Sequence, residues 1–166
     1  MVADLLIGLV TSFGYLGVFA SSLIGSATII LPVPSFFIVI FAGTVLNPVA
    51  VGIIGGLGGA IGEMTGYLAG YGGRMLADKK SKKPKKWLRN VEELFKKYGG
   101  MPVIFIFAAT PLPDDIIGIF CGAIKYSPKK FFIATLAGKI VLYIFLAYAG
   151  FYGWDFVSKY LTTGSS

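Results

Sequence analysis

The 166-residue chain has no histidine and a single cysteine, Cys121. An intrachain disulfide is therefore excluded, and so is a Cys/His metal cluster. Cys121 reads as a small apolar packing residue. Charge is scarce too, with 14% of residues Asp, Glu, Lys or Arg. From Leu5 to Gly62, a run of 58 residues, there is none at all. One membrane-spanning helix needs ~20 apolar residues, so this stretch must enter hydrocarbon more than once. A cleaved secretory signal does not explain it, because the apolar character continues past residue 150. A β-barrel does not either. Its strands alternate apolar and polar residues, whereas Ile104-Phe105-Ile106-Phe107-Ala108 is apolar at every position.

What is abundant points to helices in lipid. Hydrophobic residues make up 55% of the chain, and the mean hydropathy is +0.77. The net charge of +7 is concentrated. Ten basic and three acidic residues lie between Arg74 and Lys97, and the remainder of the chain is neutral. Such a cluster reads as a cytoplasmic loop under the positive-inside rule and as a surface for anionic headgroups. Lys79, Lys80, Lys82, Lys83, Lys85, Lys86, Trp87 and Arg89 are its expected membrane-surface residues. Nucleic acid is not the expected partner. Within the loop, Trp87, Leu88, Val91, Leu94, Phe95 and Tyr98 recur at helical spacing, with Pro84 suited to a first turn. This amphipathic helix is expected to lie on the inner leaflet; packing on the bundle is the alternative.

The chain also repeats itself. Pro32, Pro34, Ile38, Ile40, Phe41 and Gly43 recur 79 positions later as Pro111, Pro113, Ile117, Ile119, Phe120 and Gly122. After one inserted residue, Pro48, Ile53, Gly58, Ala69, Gly70 and Gly73 recur as Pro128, Ile133, Gly138, Ala149, Gly150 and Gly153. Three of only eight prolines coincide in register, which a glycine-rich composition does not explain. Proline removes a backbone donor and pushes the preceding residue out of the helical region. Pro-x-Pro therefore suits the tip of a re-entrant hairpin rather than the middle of a spanning helix. Non-helical backbone at that depth is tolerated only where protein shields it or water reaches it.

These features predict an all-α integral membrane fold in a single domain. Repeat one covers about 26–73, the basic loop 74–98 and repeat two about 99–153. Each repeat would hold one re-entrant hairpin and one crossing, in opposite orientations, as in many transporters. An additional N-terminal helix over about 5–24 would put the N-terminus in the cytoplasm beside the basic loop. Lys125, Lys129 and Lys130 fall where the second hairpin should leave on the same side.

Four ionisable residues sit in the apolar segments: Glu63, Asp114, Asp115 and Lys139. Each would cost about 2.5–3.5 kcal/mol at a helix centre on insertion scales. Asp114 and Asp115 follow Pro113 at the expected tip, and Lys139 is placed to neutralise one of them. Adjacent carboxylates in low dielectric resist double ionisation, so one could carry a proton. The matching position of half one holds Ser35. Glu63 lies among Gly55, Gly58, Gly59, Gly62 and Gly66, which permit close helix approach. It is expected to face inward toward Tyr67 or Arg74, and Arg74 either snorkels at the surface or holds phosphate. Pro32, Pro34, Pro111 and Pro113 complete the expected transport site.

In order and spacing, several segments resemble the DedA, or VTT-domain (SNARE-associated Golgi protein), superfamily over roughly residues 13 to 153. They are Pro32-Val33-Pro34 before Ala42-Gly43, and Gly59-Ala60-Ile61-Gly62-Glu63 before Gly66-Tyr67 and Gly70. Phe95-Lys96-Lys97-Tyr98-Gly99 and Thr110-Pro111-Leu112-Pro113 before Cys121-Gly122-Ala123 complete the set. The chain resembles a divergent branch. Ser35 and the stretch Gly25-Ser26-Ala27-Thr28 stand where the family often has acids, and Ala108 and Asp114 where it usually has arginines. The resemblance implies two opposed hairpins and a lipid translocase or scramblase, acting on polyprenyl-phosphate or phospholipid and coupled to protons. An ion-coupled exporter of a small solute or drug is the alternative. No enzymatic activity and no cofactor are expected; membrane lipids are the expected partners, and a homo-oligomer remains open.

Overall fold

A computed structural model of the protein describes residues 12–27, 35–77, 86–111 and 115–163. These residues form seven α-helices and no strand. In chain order they are α1 (Tyr15–Ala27), α2 (Ser35–Val45), α3 (Pro48–Ala77), α4 (Lys86–Tyr98), α5 (Gly100–Ala108), α6 (Asp115–Ala123) and α7 (Pro128–Thr163). Two of them contain stretches long and apolar enough to cross a bilayer. These are Pro48–Gly73 and Pro128–Gly153, each of 26 residues, with mean hydropathies of 1.3 and 2.0.

The same local chemistry starts both long helices. Proline occupies the first position, where its missing N–H removes nothing, and a polar residue precedes it. Before Pro48, the side-chain Oδ1 of Asn47 accepts hydrogen bonds from the Val49 and Ala50 N–H groups at 3.0 and 3.2 Å. That satisfies two otherwise orphaned donors. Before Pro128 stands Ser127, whose carbonyl accepts from the Phe131 N–H at 2.9 Å. Helix α6 ends in a Schellman arrangement: Tyr126 N–H reaches the Cys121 carbonyl at 2.9 Å and Lys125 N–H that of Gly122 at 3.0 Å. Lys125 takes the left-handed φ of 55° that this turn requires.

The long helices α3 and α7 pack against each other, and the short helices are exchanged between them. Helices α1 and α6 lie on α3, while α2 and α5 lie on α7. Paired glycines set these contacts. A Cβ at Gly43 would strike the Ala147 carbonyl, and one at Gly122 would strike that of Tyr67. Gly70 likewise abuts Ile119, and Gly150 abuts Ile40. Each contact of the first half thus has its counterpart in the second at the sequence offset of the repeat. Two apolar clusters result. One is built on Val18, Ile38, Val39, Val51, Tyr143 and Ala147, the other on Tyr67, Ile117, Phe120, Cys121 and Phe131. Cys121 is buried in the second, as its packing role requires.

Two expectations are corrected. No helix spans 5–24 among the described residues: α1 starts at Tyr15, after Gly14 with φ 53°. Its 13 residues reach only ~20 Å, less than the hydrocarbon thickness. The Tyr15 hydroxyl accepts from the Asn47 N–H at 3.3 Å, so α1 begins where α2 ends. Residues 12 and 13, ahead of the turn at Gly14, are helical, and residues 5–11 of the expected helix lie outside the described residues. Tyr15 therefore sits at the Asn47 end of the molecule rather than at the Lys125 end. The second hairpin opens the same way, with Gly100 at the start of α5 against the Tyr126 ring that follows α6.

The loop helix α4 is the second correction. Its apolar face covers protein rather than only lipid. Val91 is buried, and Phe95 packs edge-on against Phe120 and Tyr126 at ring-centroid distances of 5.1 and 5.8 Å. The open end of the second hairpin presents aromatic surface there, and the helix closes it. The charged face stays outside, where Glu92 and Lys96 pair at 2.7 Å.

Candidate functional site

Where α3 and α7 meet, the molecule buries two opposite charges. Lys139 Nζ donates to Glu63 Oε1 at 3.0 Å, and their side chains are 3% and 2% exposed. Helical spacing places Gly59 one turn before Glu63 and Tyr143 one turn after Lys139. Gly59 lets α7 come close: a Cβ there would lie 3.2 Å from the Tyr143 hydroxyl and 3.5 Å from Lys139 Cδ. Gly55, a turn earlier, faces Tyr143 and Ser22 of α1 at 3.0 and 3.2 Å. Ser26 of α1 lies 3.4 Å from the Cβ position of Gly59. The polar centre is thus assembled from three helices, α1, α3 and α7.

Both hairpins bring their inner ends to this centre. At the end of α1, the Ala27 carbonyl accepts from Thr65 Oγ1 at 3.3 Å. At the start of α2, Phe36 meets Tyr143 edge-on at 6.5 Å. At the start of α6, the Asp115 carbonyl lies 3.8 Å from the Cβ position of Gly66, and Gly118 faces the Glu63 carbonyl. Asp115 occupies the first turn of α6, where the helix dipole favours a carboxylate.

A family model described as the VTT domain matches residues 33–152. This chain belongs to the VTT-domain family, the DedA/SNARE-associated Golgi protein family. Compared with curated proteins and with solved structures, it matches none. The family is membrane-associated and generally thought to act as transporters or flippases. With its two long apolar helices, this VTT-domain protein is a membrane protein. The matched region includes Glu63, Lys139 and Tyr143, whereas Ser22 and Ser26 precede it.

The pairing inside this VTT-domain protein adds a partner that the sequence expectation did not name. Lys139 engages Glu63 across the contact between the two long helices, while Asp114 of the expected tip lies outside the described residues. Glu63 therefore turns toward α7, not toward Tyr67. The Tyr67 hydroxyl donates to the Tyr126 carbonyl at 2.5 Å instead, and its ring packs on Phe131 at 5.3 Å. Tyr67 thus tethers the second hairpin. Pro111 ends the turn after α5 and is exposed. Pro32, Pro34, Pro113 and Asp114 lie outside the described residues, as do Lys79, Lys80, Lys82, Lys83 and Lys85. Ser35 starts α2, Arg74 lies in α3, and Lys86, Trp87 and Arg89 lie in α4; their side chains are outside the described part.

Sequence reasoning missed Ser22 and Tyr143, and named Ser26 only within the stretch Gly25-Ser26-Ala27-Thr28. A signal for one of them was present. The repeat offset of 80 that maps Ala69 onto Ala149 also maps Glu63 onto Tyr143 and Gly59 onto Lys139. The two halves thus carry a polar residue at the same register position.

Proposed function

We propose that the protein moves an amphiphilic lipid between the leaflets of a membrane without altering it covalently. The carrying observation is the ion pair of Glu63 and Lys139, buried where the two long apolar helices meet. A buried pair is seldom the most stable solution, since apolar residues of similar volume often do as well or better. At this place it supplies instead what a lipid headgroup needs in hydrocarbon. Lys139 can take a phosphate oxygen, and Glu63 can take the cationic part of a zwitterionic headgroup. The pair opens as the headgroup arrives and closes once it leaves, so no bare charge is left in the interior.

Geometry supports a path to it. The hairpin of α1 and α2 opens at the Asn47 end and that of α5 and α6 at the Lys125 end, where Lys125 lies 5.7 Å over the Tyr71 ring. In our reading these are re-entrant hairpins of two inverted repeats, dipping from opposite sides of the bilayer. Their inner ends lie beside the pair. The lysine-rich end, with Lys125, Lys129, Lys130 and the basic loop, is cytoplasmic by the positive-inside rule. The Asn47 and Tyr15 end is then outside.

The test is reconstitution in vesicles carrying either a fluorescent zwitterionic phospholipid or a polyprenyl phosphate. Wild-type protein should equilibrate at least one of them between leaflets. Glu63→Gln should slow that exchange about tenfold, equivalent to a barrier ~1.4 kcal/mol higher. Movement of a soluble cation down a proton gradient with no lipid exchange would instead establish the small-solute exporter.

A further inference from the structure

Three hydroxyls near the ion pair are buried with no hydrogen-bond partner among the described residues: Ser22, Ser26 and Tyr143. They are 1%, 7% and 0% exposed. A serine inside a helix commonly returns its hydroxyl to a carbonyl one turn back, and neither Ser22 nor Ser26 does so. All three converge on the glycine face of α3. The Cβ position of Gly59 lies 3.2 Å from the Tyr143 oxygen and 3.4 Å from that of Ser26, while that of Gly55 lies 3.2 Å from Ser22 Oγ. A buried hydroxyl left without a partner keeps its full desolvation penalty. Three of them on one close helix contact call for a ligand that donates and accepts hydrogen bonds.

We propose that Ser22, Ser26 and Tyr143 form an internal water site against the glycine face of α3, on the α1 side of the Glu63 and Lys139 pair. Its chemistry selects water over an ion. The lining groups are neutral, and the adjacent pair sums to no net charge. Buried waters typically make about three hydrogen bonds to such groups, and the three hydroxyls match that number. A Cβ at Gly55 or Gly59 would stand 3.0 to 3.5 Å from these side chains, so glycine keeps the hydroxyls uncovered. Water held here solvates the ion pair from one side and lowers the barrier to its opening. The site itself rests on the hydroxyls and glycines, and stands whether or not the protein carries lipid.

Hydroxyl-radical labelling of the protein in bilayer discs tests this, because radicals form from water lying against the reactive ring. The reference is Phe131, 1% exposed and surrounded by apolar side chains. After correction for intrinsic ring reactivity, Tyr143 should be labelled well above Phe131 despite equal burial. Gly59→Ala puts a methyl group among the hydroxyls and should reduce Tyr143 labelling to the Phe131 level. Ser26→Ala should lower it as well. Gly72→Ala, whose methyl meets nothing within 4 Å, should leave it unchanged. Wild-type Tyr143 labelled no more than Phe131 would overturn the proposal without recourse to any variant, and so would full labelling in Gly59→Ala.

Discussion

Glu63 and Lys139 are worth little as glue and much as a liability. Their mutual attraction offsets a desolvation penalty of several kcal/mol per ion. Truncating one leaves the other charged in a low-dielectric contact. Lys139→Met and Glu63→Leu should therefore each destabilise the protein by about 3–5 kcal/mol, while the double variant recovers most of the loss. Thermal unfolding in detergent measures this directly; strictly additive losses would show that the two side chains do not depend on each other. The four charged positions were evident from sequence, because charge in an apolar run is conspicuous. The contact between Glu63 and Lys139 was not, because it joins residues 76 apart in sequence. Ser22, Ser26 and Tyr143 gave no hint singly, since hydroxyls are common in membrane helices and only packing shows which ones lack a partner.

Helices, by contrast, were largely written in the residues that end them. Asn47 and Pro48, and Ser127 and Pro128, marked the starts of α3 and α7 to within a few positions, but α7 runs on to Thr163, well past the expected end of repeat two near 153. A further exception is α1. The uncharged run from Leu5 to Gly62 has no charge to mark a boundary, so an expectation based on spanning length placed a 20-residue helix across Gly14. The structure breaks the described part of that run with a turn at Gly14, between helical residues 12–13 and α1, and the first residue of α1 makes the distant Tyr15 and Asn47 contact. A similar conformational demand separates α4 from α5. Gly99 has φ 84° and ψ 156°, a region that is essentially closed to residues bearing a Cβ. Gly99→Ala should lower stability by about 1–3 kcal/mol and loosen α4 from the second hairpin. Faster hydrogen exchange over Val91 to Tyr98 would register the loosening. Gly72→Ala, helical and uncrowded, is the contrast: by helix propensity it should gain up to ~1 kcal/mol.

The exchange of short helices between the long ones gives the molecule its logic. Because α2 packs on α7 and α6 on α3, the faces at Gly43, Gly70, Gly122 and Gly150 are covered by the opposite half. The same arrangement puts the open ends of the hairpins at opposite poles. Asn47 and Lys129 are both exposed, the first where α2 gives way to α3 and the second in the first turn of α7. If the hairpins enter from opposite sides, these positions face different compartments. Asn47→Cys removes a cap worth about 1 kcal/mol, a tolerable loss, and Lys129→Cys removes only a surface charge. The native Cys121 is buried and should stay silent. In intact cells an impermeant maleimide should modify Asn47→Cys at once and Lys129→Cys only after the membrane is opened. Labelling of both from one side would mean that the hairpins are parallel. The path proposed here between two opposed openings, with the ion pair at its middle, would then have no second entrance.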